Sequence, residues 1–201
     1  MDHGQEVDRL FADYRAAGSP GAVVQVIRDG APVLTRTYGL ANVAERIPER
    51  PETNFRLASL TKAFTAMSVL ILVDRGQLAL GDTLADVFPG FPEYGRTVTI
   101  RHLLQHTSGL VDYEPFVPGD SATRIVDVEV LDLMMQQDHT IFPPGSEHRY
   151  SNSGYAVLAM VVERVSGQPF PDFLYDNVFE PLGMQETVAH REGVSVVANR
   201  A

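Results

Sequence analysis

Apolar residues open the chain at helical spacing: Val7, Leu10, Phe11 and Tyr14 predict an amphipathic helix over residues 5–17. Gly18-Ser19-Pro20-Gly21 stops it. The pattern then changes to β-rich runs over 22–28 and 33–38, on either side of Asp29-Gly30. Asp-Gly between two such runs predicts a hairpin. Val23, Val24, Val26 and Ile27 are nearly continuous, and a strand of that kind expects cover on both faces. Residues 40–58, with Pro48 and Pro51, read as extended and irregular. A long helical pattern over 60–75 ends at Gly76, a C′ glycine. Thr99 predicts the N-cap of a short helix through His106, and 127–137 predicts another helix. Phe142-Pro143-Pro144-Gly145 forces a turn. Ser151 or Asn152 opens a helix that runs to Ser166 and stops at Gly167, and 169–179 reads as one more short helix. Two regions follow: a helix and hairpin over 1–58, and a mostly helical region over 59–201.

Composition narrows the function. A chain of 201 residues is long enough for one domain with a real core. The net charge of −10 leaves no basic stripe to meet phosphates, so neither nucleic acid nor an anionic membrane is an expected partner. No cysteine is present, which excludes disulfides and thiol catalysis. The apolar run over 69–73 is too short to span a bilayer. No basic start or apolar run is visible at the N-terminus, so the expected location is cytoplasmic.

Lys62 is the only lysine; the other 15 basic residues are arginine. Arginine cannot lose its proton in a protein, whereas a lysine can do so. The surviving lysine is therefore a candidate for work that needs an amine. It stands three residues after Ser59, where the extended segment meets the long helix, and the pair shares one face. The free N–H groups and dipole of a helix start favour negative charge near the Ser59 oxygen. An amine beside a serine hydroxyl is a general base beside a nucleophile. The competing reading of Ser59 is an N-cap. Tyr150 and Asn152 point to one side if their segment is extended, and they follow a Pro-Pro-Gly turn where a site loop belongs. A phenol near a lysine can relay a proton, and an asparagine amide can donate to a substrate carbonyl and accept from the lysine. Tyr175 and Asn177 share that spacing but sit among Phe170, Phe173, Leu174 and Phe179, which reads as packing. His102 and His106 have the i, i+4 spacing of metal proteases, but Leu103 stands where that motif needs a glutamate, and helix-end packing and capping is the competing reading. No metal and no cofactor are expected. No Gly-x-Ser-x-Gly is present, which excludes the α/β-hydrolase elbow.

Ser59-Leu60-Thr61-Lys62, then Leu104-Gln105-His106-Thr107-Ser108-Gly109-Leu110, then Tyr150-Ser151-Asn152-Ser153-Gly154-Tyr155, then Pro181-Leu182-Gly183-Met184 stand in an order and spacing that resemble the penicillin-recognising serine hydrolases: class C β-lactamases, D-alanyl-D-alanine peptidases and related esterases. The resemblance covers roughly residues 20–190. It implies an α/β (α+β) fold of β-lactamase/transpeptidase type, an antiparallel sheet flanked by helices plus a mostly helical region. It further implies Ser59 as acylated nucleophile, Lys62 as its proton partner, Tyr150 as general acid/base and Asn152 as hydrogen-bond donor to substrate and lysine. The His-Thr-Ser-Gly segment is by resemblance a structural turn. The family also carries a Lys/His-Thr/Ser-Gly tripeptide on a late strand that supplies a second oxyanion N–H. No such tripeptide follows Asn152; Val165-Ser166-Gly167 has no basic residue in front. The expectation is an incomplete catalytic domain whose C-terminal half lies on another polypeptide. The expected substrate is a small ester, an amide or a D-amino-acid peptide. A dedicated β-lactamase and a non-catalytic penicillin-binding module are the alternatives.

Overall fold

The computed structural model describes residues 3–117, 125–191 and 193–201. The chain divides into two compact units, Met1–Leu57 with His190–Ala201 and Ala58–Ala189.

In the first unit, helix α1 (His3–Leu10) is shorter than its apolar spacing predicts. The chain leaves the α-helix at Phe11, whose ring stacks on Tyr38 at 5.1 Å, and continues as a 3₁₀ turn, Ala12–Arg15. Strands β1 (Ala22–Arg28) and β2 (Ala31–Tyr38) pair antiparallel. The turn has positive φ at both Asp29 and Gly30, which matches the right-handed twist of the flanking strands. The register shifts between Val26 and Ile27, opposite Pro32, which has no N–H to give to a ladder. The expected cover reaches only part of this hairpin among the described residues: Val23 and Val24 are half-buried, while Val26, Ile27 and Val33 are exposed. The stretch read as irregular holds a second small hairpin, β3 (Leu40–Asn42) with β4 (Ile47–Pro48). Its three- and two-residue strands are too short to show a period of two. Residues 190–201 fall with this unit because the chain returns to it: Asn54 N–H donates to Asn199 O at 2.8 Å, and Ala201 N–H donates to Asn54 O at 3.0 Å.

The second unit is helical. Helix α2 (Thr61–Asp74) buries Thr65, Ser68, Val69 and Leu72, one stripe at helical spacing, and packs on α6 (Asn152–Ser166). It ends in a Schellman motif: Gly76, at φ 67°, donates to Val73 O, and Gln77 N–H donates to Leu72 O. Helices α3 (Leu84–Val87), α4 (Ile100–Leu104) and α5 (Asp127–Met135) join the same core, through Leu84, Ile100, Leu103, Leu131 and Met134. Val157, Leu158, Val161 and Val162 fill it from α6. Each such side chain, fully buried, contributes about 1.5–3 kcal/mol. α6 opens on Ser151, whose Oγ accepts from Gly154 N–H, and closes on Gly167 at φ 70°. The last predicted helix is α7 (Phe170–Leu174) followed by a π-helical turn, Tyr175–Phe179. Among the described residues no helix is long and apolar enough to cross a membrane.

Candidate active site

Ser59 does not cap α2. It lies in a 3₁₀ turn, Ala58–Leu60, and the N-cap of α2 is Leu60, which makes no side-chain cap bond. Ala58, just before it, has φ 48°, a left-handed conformation that costs a residue with a Cβ about 1–2 kcal/mol. The turn leaves Ser59 exposed, with its Oγ as a shared acceptor: Tyr150 Oη donates to it at 2.7 Å and Lys62 Nζ at 3.3 Å. Lys62 is one helical turn further on and half-buried. Its Nζ also donates to Asn152 Oδ1 at 2.8 Å and lies 4.7 Å from the centroid of the Tyr150 ring and 5.7 Å from that of Tyr155.

Tyr150 and Asn152 reach the same place from the other end of the fold. Ser151 between them is extended (φ −135°, ψ 120°), so the two side chains point the same way before α6 begins. All four residues singled out in the sequence thus converge: Ser59, Lys62, Tyr150 and Asn152. Lys62, chiefly, and the Ser59 hydroxyl stabilise the phenolate of Tyr150 and hold its pKa below the ordinary tyrosine value. Asn152 accepts from the lysine, as its amide chemistry allows, rather than donating to it as the resemblance implies. Towards Lys62 it accepts through Oδ1, while its Nδ2 donates to Glu114 Oε1 at 2.8 Å.

Glu114 was not visible as a site residue. It sits on a 3₁₀ turn, Glu114–Phe116, pinned to α6 by Tyr113 N–H donating to the buried Ser153 Oγ at 2.9 Å. Nothing in the local sequence marks it, because its partner is 38 positions away. The other serines near the site are occupied. Ser108 is buried with its Oγ accepting from Leu110 N–H, and Ser151 Oγ is spent on the α6 cap. Tyr175 and Asn177 lie on the π-helical turn after α7, and Asn177 pairs with Arg75 at 2.7 Å.

The two histidines at i, i+4 have other work. His102 Nδ1 accepts from Thr99 N–H, half of the capping box that starts α4, and His106 Nδ1 accepts from Ser151 N–H at 3.2 Å. Among the described residues no group of three or more potential ligands is placed to hold a metal ion.

The Beta-lactamase family model matches residues 7–194. Penicillin-binding protein 4* of Bacillus subtilis (strain 168) is 39% identical over 162 residues, which are 79% of this chain and 36% of that protein. D-amino acid amidase from Ochrobactrum anthropi SV3 superposes with a TM-score of 0.84 at 28% identity, covering 100% of this chain and 57% of the amidase. EstCE1, a hydrolase with promiscuous acyltransferase activity, gives a TM-score of 0.73 at 31% identity, covering 89% of this chain and 50% of that one. The small antiparallel sheets and the helical unit therefore match a β-lactamase/transpeptidase-like fold, and the chain spans between 36% and 57% of these relatives.

Proposed function

The chain belongs to the Beta-lactamase family of penicillin-recognising serine hydrolases, and we propose that it forms a covalent acyl-enzyme on Ser59 and hydrolyses an ester or amide. The observation that carries this is the double hydrogen bond to Ser59 Oγ from Tyr150 and Lys62. When Tyr150 is a phenolate, or Lys62 a free amine, either can take the Ser59 proton as Oγ bonds to the substrate carbonyl carbon. Tyr150 then returns a proton to the leaving oxygen or nitrogen as that bond breaks. Water repeats the cycle on the acyl-ester. Where the phenolate is the base, acylation rises with pH through a pKa that lies below that of an ordinary tyrosine.

The substrate we favour is a small ester or a D-amino-acid amide or peptide rather than a β-lactam. One neighbour is a D-amino acid amidase and another a hydrolase with acyltransferase activity. The Glu114 carboxylate behind Asn152 adds negative charge to the site. A neutral ester or an amide with a free amine tolerates that charge, whereas a substrate carboxylate, on a penicillin or on a peptide's free end, is repelled by it, which favours the ester and the amide within this set. A second reading, a non-catalytic penicillin-binding module, is supported by the missing Lys/His-Thr/Ser-Gly tripeptide and its oxyanion donor. We further propose that the open edges of the β1–β2 hairpin take strands from a C-terminal polypeptide.

A fluorophosphonate tests the first reading. The adduct is expected on Ser59 and on no other serine; an adduct mapped to Ser108 or Ser151 overturns it. Sustained turnover of p-nitrophenyl esters beyond one equivalent of nitrophenol per chain separates the hydrolase from a module that is acylated and stays so.

A further inference from the structure

His106 holds both flanks of Tyr150. Its backbone oxygen accepts from Arg149 N–H at 2.8 Å, and its Nδ1 accepts from Ser151 N–H at 3.2 Å. One residue thus takes the peptide N–H on each side of the tyrosine. Its ring lies 4.7 Å from that of Tyr150 and 4.9 Å from that of Tyr155. Tyr155 is itself anchored, its Oη donating to Leu104 O at 3.0 Å. To make these contacts His106 adopts φ 58°, a strained conformation for a residue with a Cβ. Tyr150 needs the support, because it is 51% exposed and carries its hydroxyl at the end of two rotatable bonds.

We propose that His106 is a positioning residue that fixes the Tyr150 phenol against Ser59 Oγ through its ring, its Nδ1 and its backbone oxygen. The inference rests on the acyl-enzyme reading for its consequence in rate, but its geometric content stands apart from that reading. The Nδ1 contact requires an unprotonated nitrogen. Burial, His148 and Lys62 all favour the neutral ring, and the titratable groups that face it are Lys62, His148, Tyr150 and Tyr155.

The test follows the phenol itself. Tyrosine labelled with ¹³C at Cζ is incorporated into the full 201-residue chain, and Tyr150→Phe identifies the Tyr150 resonance. In His106→Phe the ring is kept, but the Nδ1 acceptor is lost. In His106→Asn an acceptor is kept in a residue that tolerates positive φ, but the ring is lost. The Tyr150 pKa is expected to rise in both towards the ordinary value of about 10. Fluorophosphonate labelling of Ser59 is expected to slow by about 10²-fold in His106→Phe, the scale of a misplacement of about 1 Å. An unchanged Tyr150 titration in either variant, with a native melting transition, overturns the proposal. Loss of folding in both overturns it too, by assigning His106 to the fold alone. If wild-type Ser59 is never labelled, the acyl-enzyme reading fails, while the titration still decides the role of His106.

Discussion

Lys62 is the position where charge and chemistry can be separated by one substitution. Lys62→Arg keeps the positive charge beside Asn152 and Tyr150 and removes the amine that can release a proton. Acylation of Ser59 is expected to fall by roughly 10²–10⁴-fold, the usual contribution of a positioned acid or base. The melting transition should stay close to that of the parent, since Lys62 is not in the apolar core. Near-native acylation in that variant would remove Lys62 from proton transfer. Much of this site could be read from sequence, because Ser59 and Lys62 are one turn apart and Tyr150 and Asn152 are two residues apart. Local geometry fixes each pair. The contact between the pairs, Tyr150 Oη to Ser59 Oγ across 91 positions, came from the family resemblance and not from spacing. Glu114 had no such guide, and the resemblance marked the segment of His106 as a structural turn without the clamp on Tyr150.

Among the elements, those with a chemical stop signal were legible to within a residue or two. Gly76, Gly167 and the Asp29-Gly30 turn end or join elements where positive φ is needed. α1 was overestimated, because its spacing continues through Phe11 while the stack on Tyr38 takes the backbone out of the helix. α3 was missed although Thr83 and Asp86 form a capping box, since four residues are too few to show a period of 3.6. Two glycines separate conformation from space. Gly76→Ala meets open solvent and should cost only the left-handed strain, about 1–2 kcal/mol. Gly109, at φ 70°, has the Phe142 carbonyl oxygen where a Cβ would stand. Gly109→Ala should therefore destabilise distinctly more in urea unfolding. Equal losses at the two positions would mean that the Phe142 segment gives way freely.

At the scale of the whole molecule the hairpin is the open question. A two-stranded sheet is marginal in water, and β1–β2 leaves Val26, Ile27 and Val33 exposed. The 201-residue chain is expected to self-associate, and Val33→Lys should raise the concentration at which it does so. Ester turnover should sit roughly 10²–10³-fold below that of a relative with both oxyanion donors. Sedimentation and p-nitrophenyl ester kinetics check both statements. A stable monomer with full turnover would reject the need for further strands and would require an oxyanion donor within this sequence.

The sequence by itself determined what depends on near neighbours: the hairpin turn, the stop of α2, the cap of α4, the cap and stop of α6, and the one-turn spacing of Ser59 and Lys62. Those follow from steric limits on φ, from the repeat of the helix and from unsatisfied backbone groups at helix ends, all of which act over a few residues. Only the tertiary structure decided that the Asn152 amide nitrogen is taken by Glu114 and that His106 braces Tyr150 on both sides. The reason is physical. A hydrogen bond or ring contact between distant positions leaves no periodicity in the chain; it exists because packing of α2, α4 and α6 around one core brings those side chains within reach.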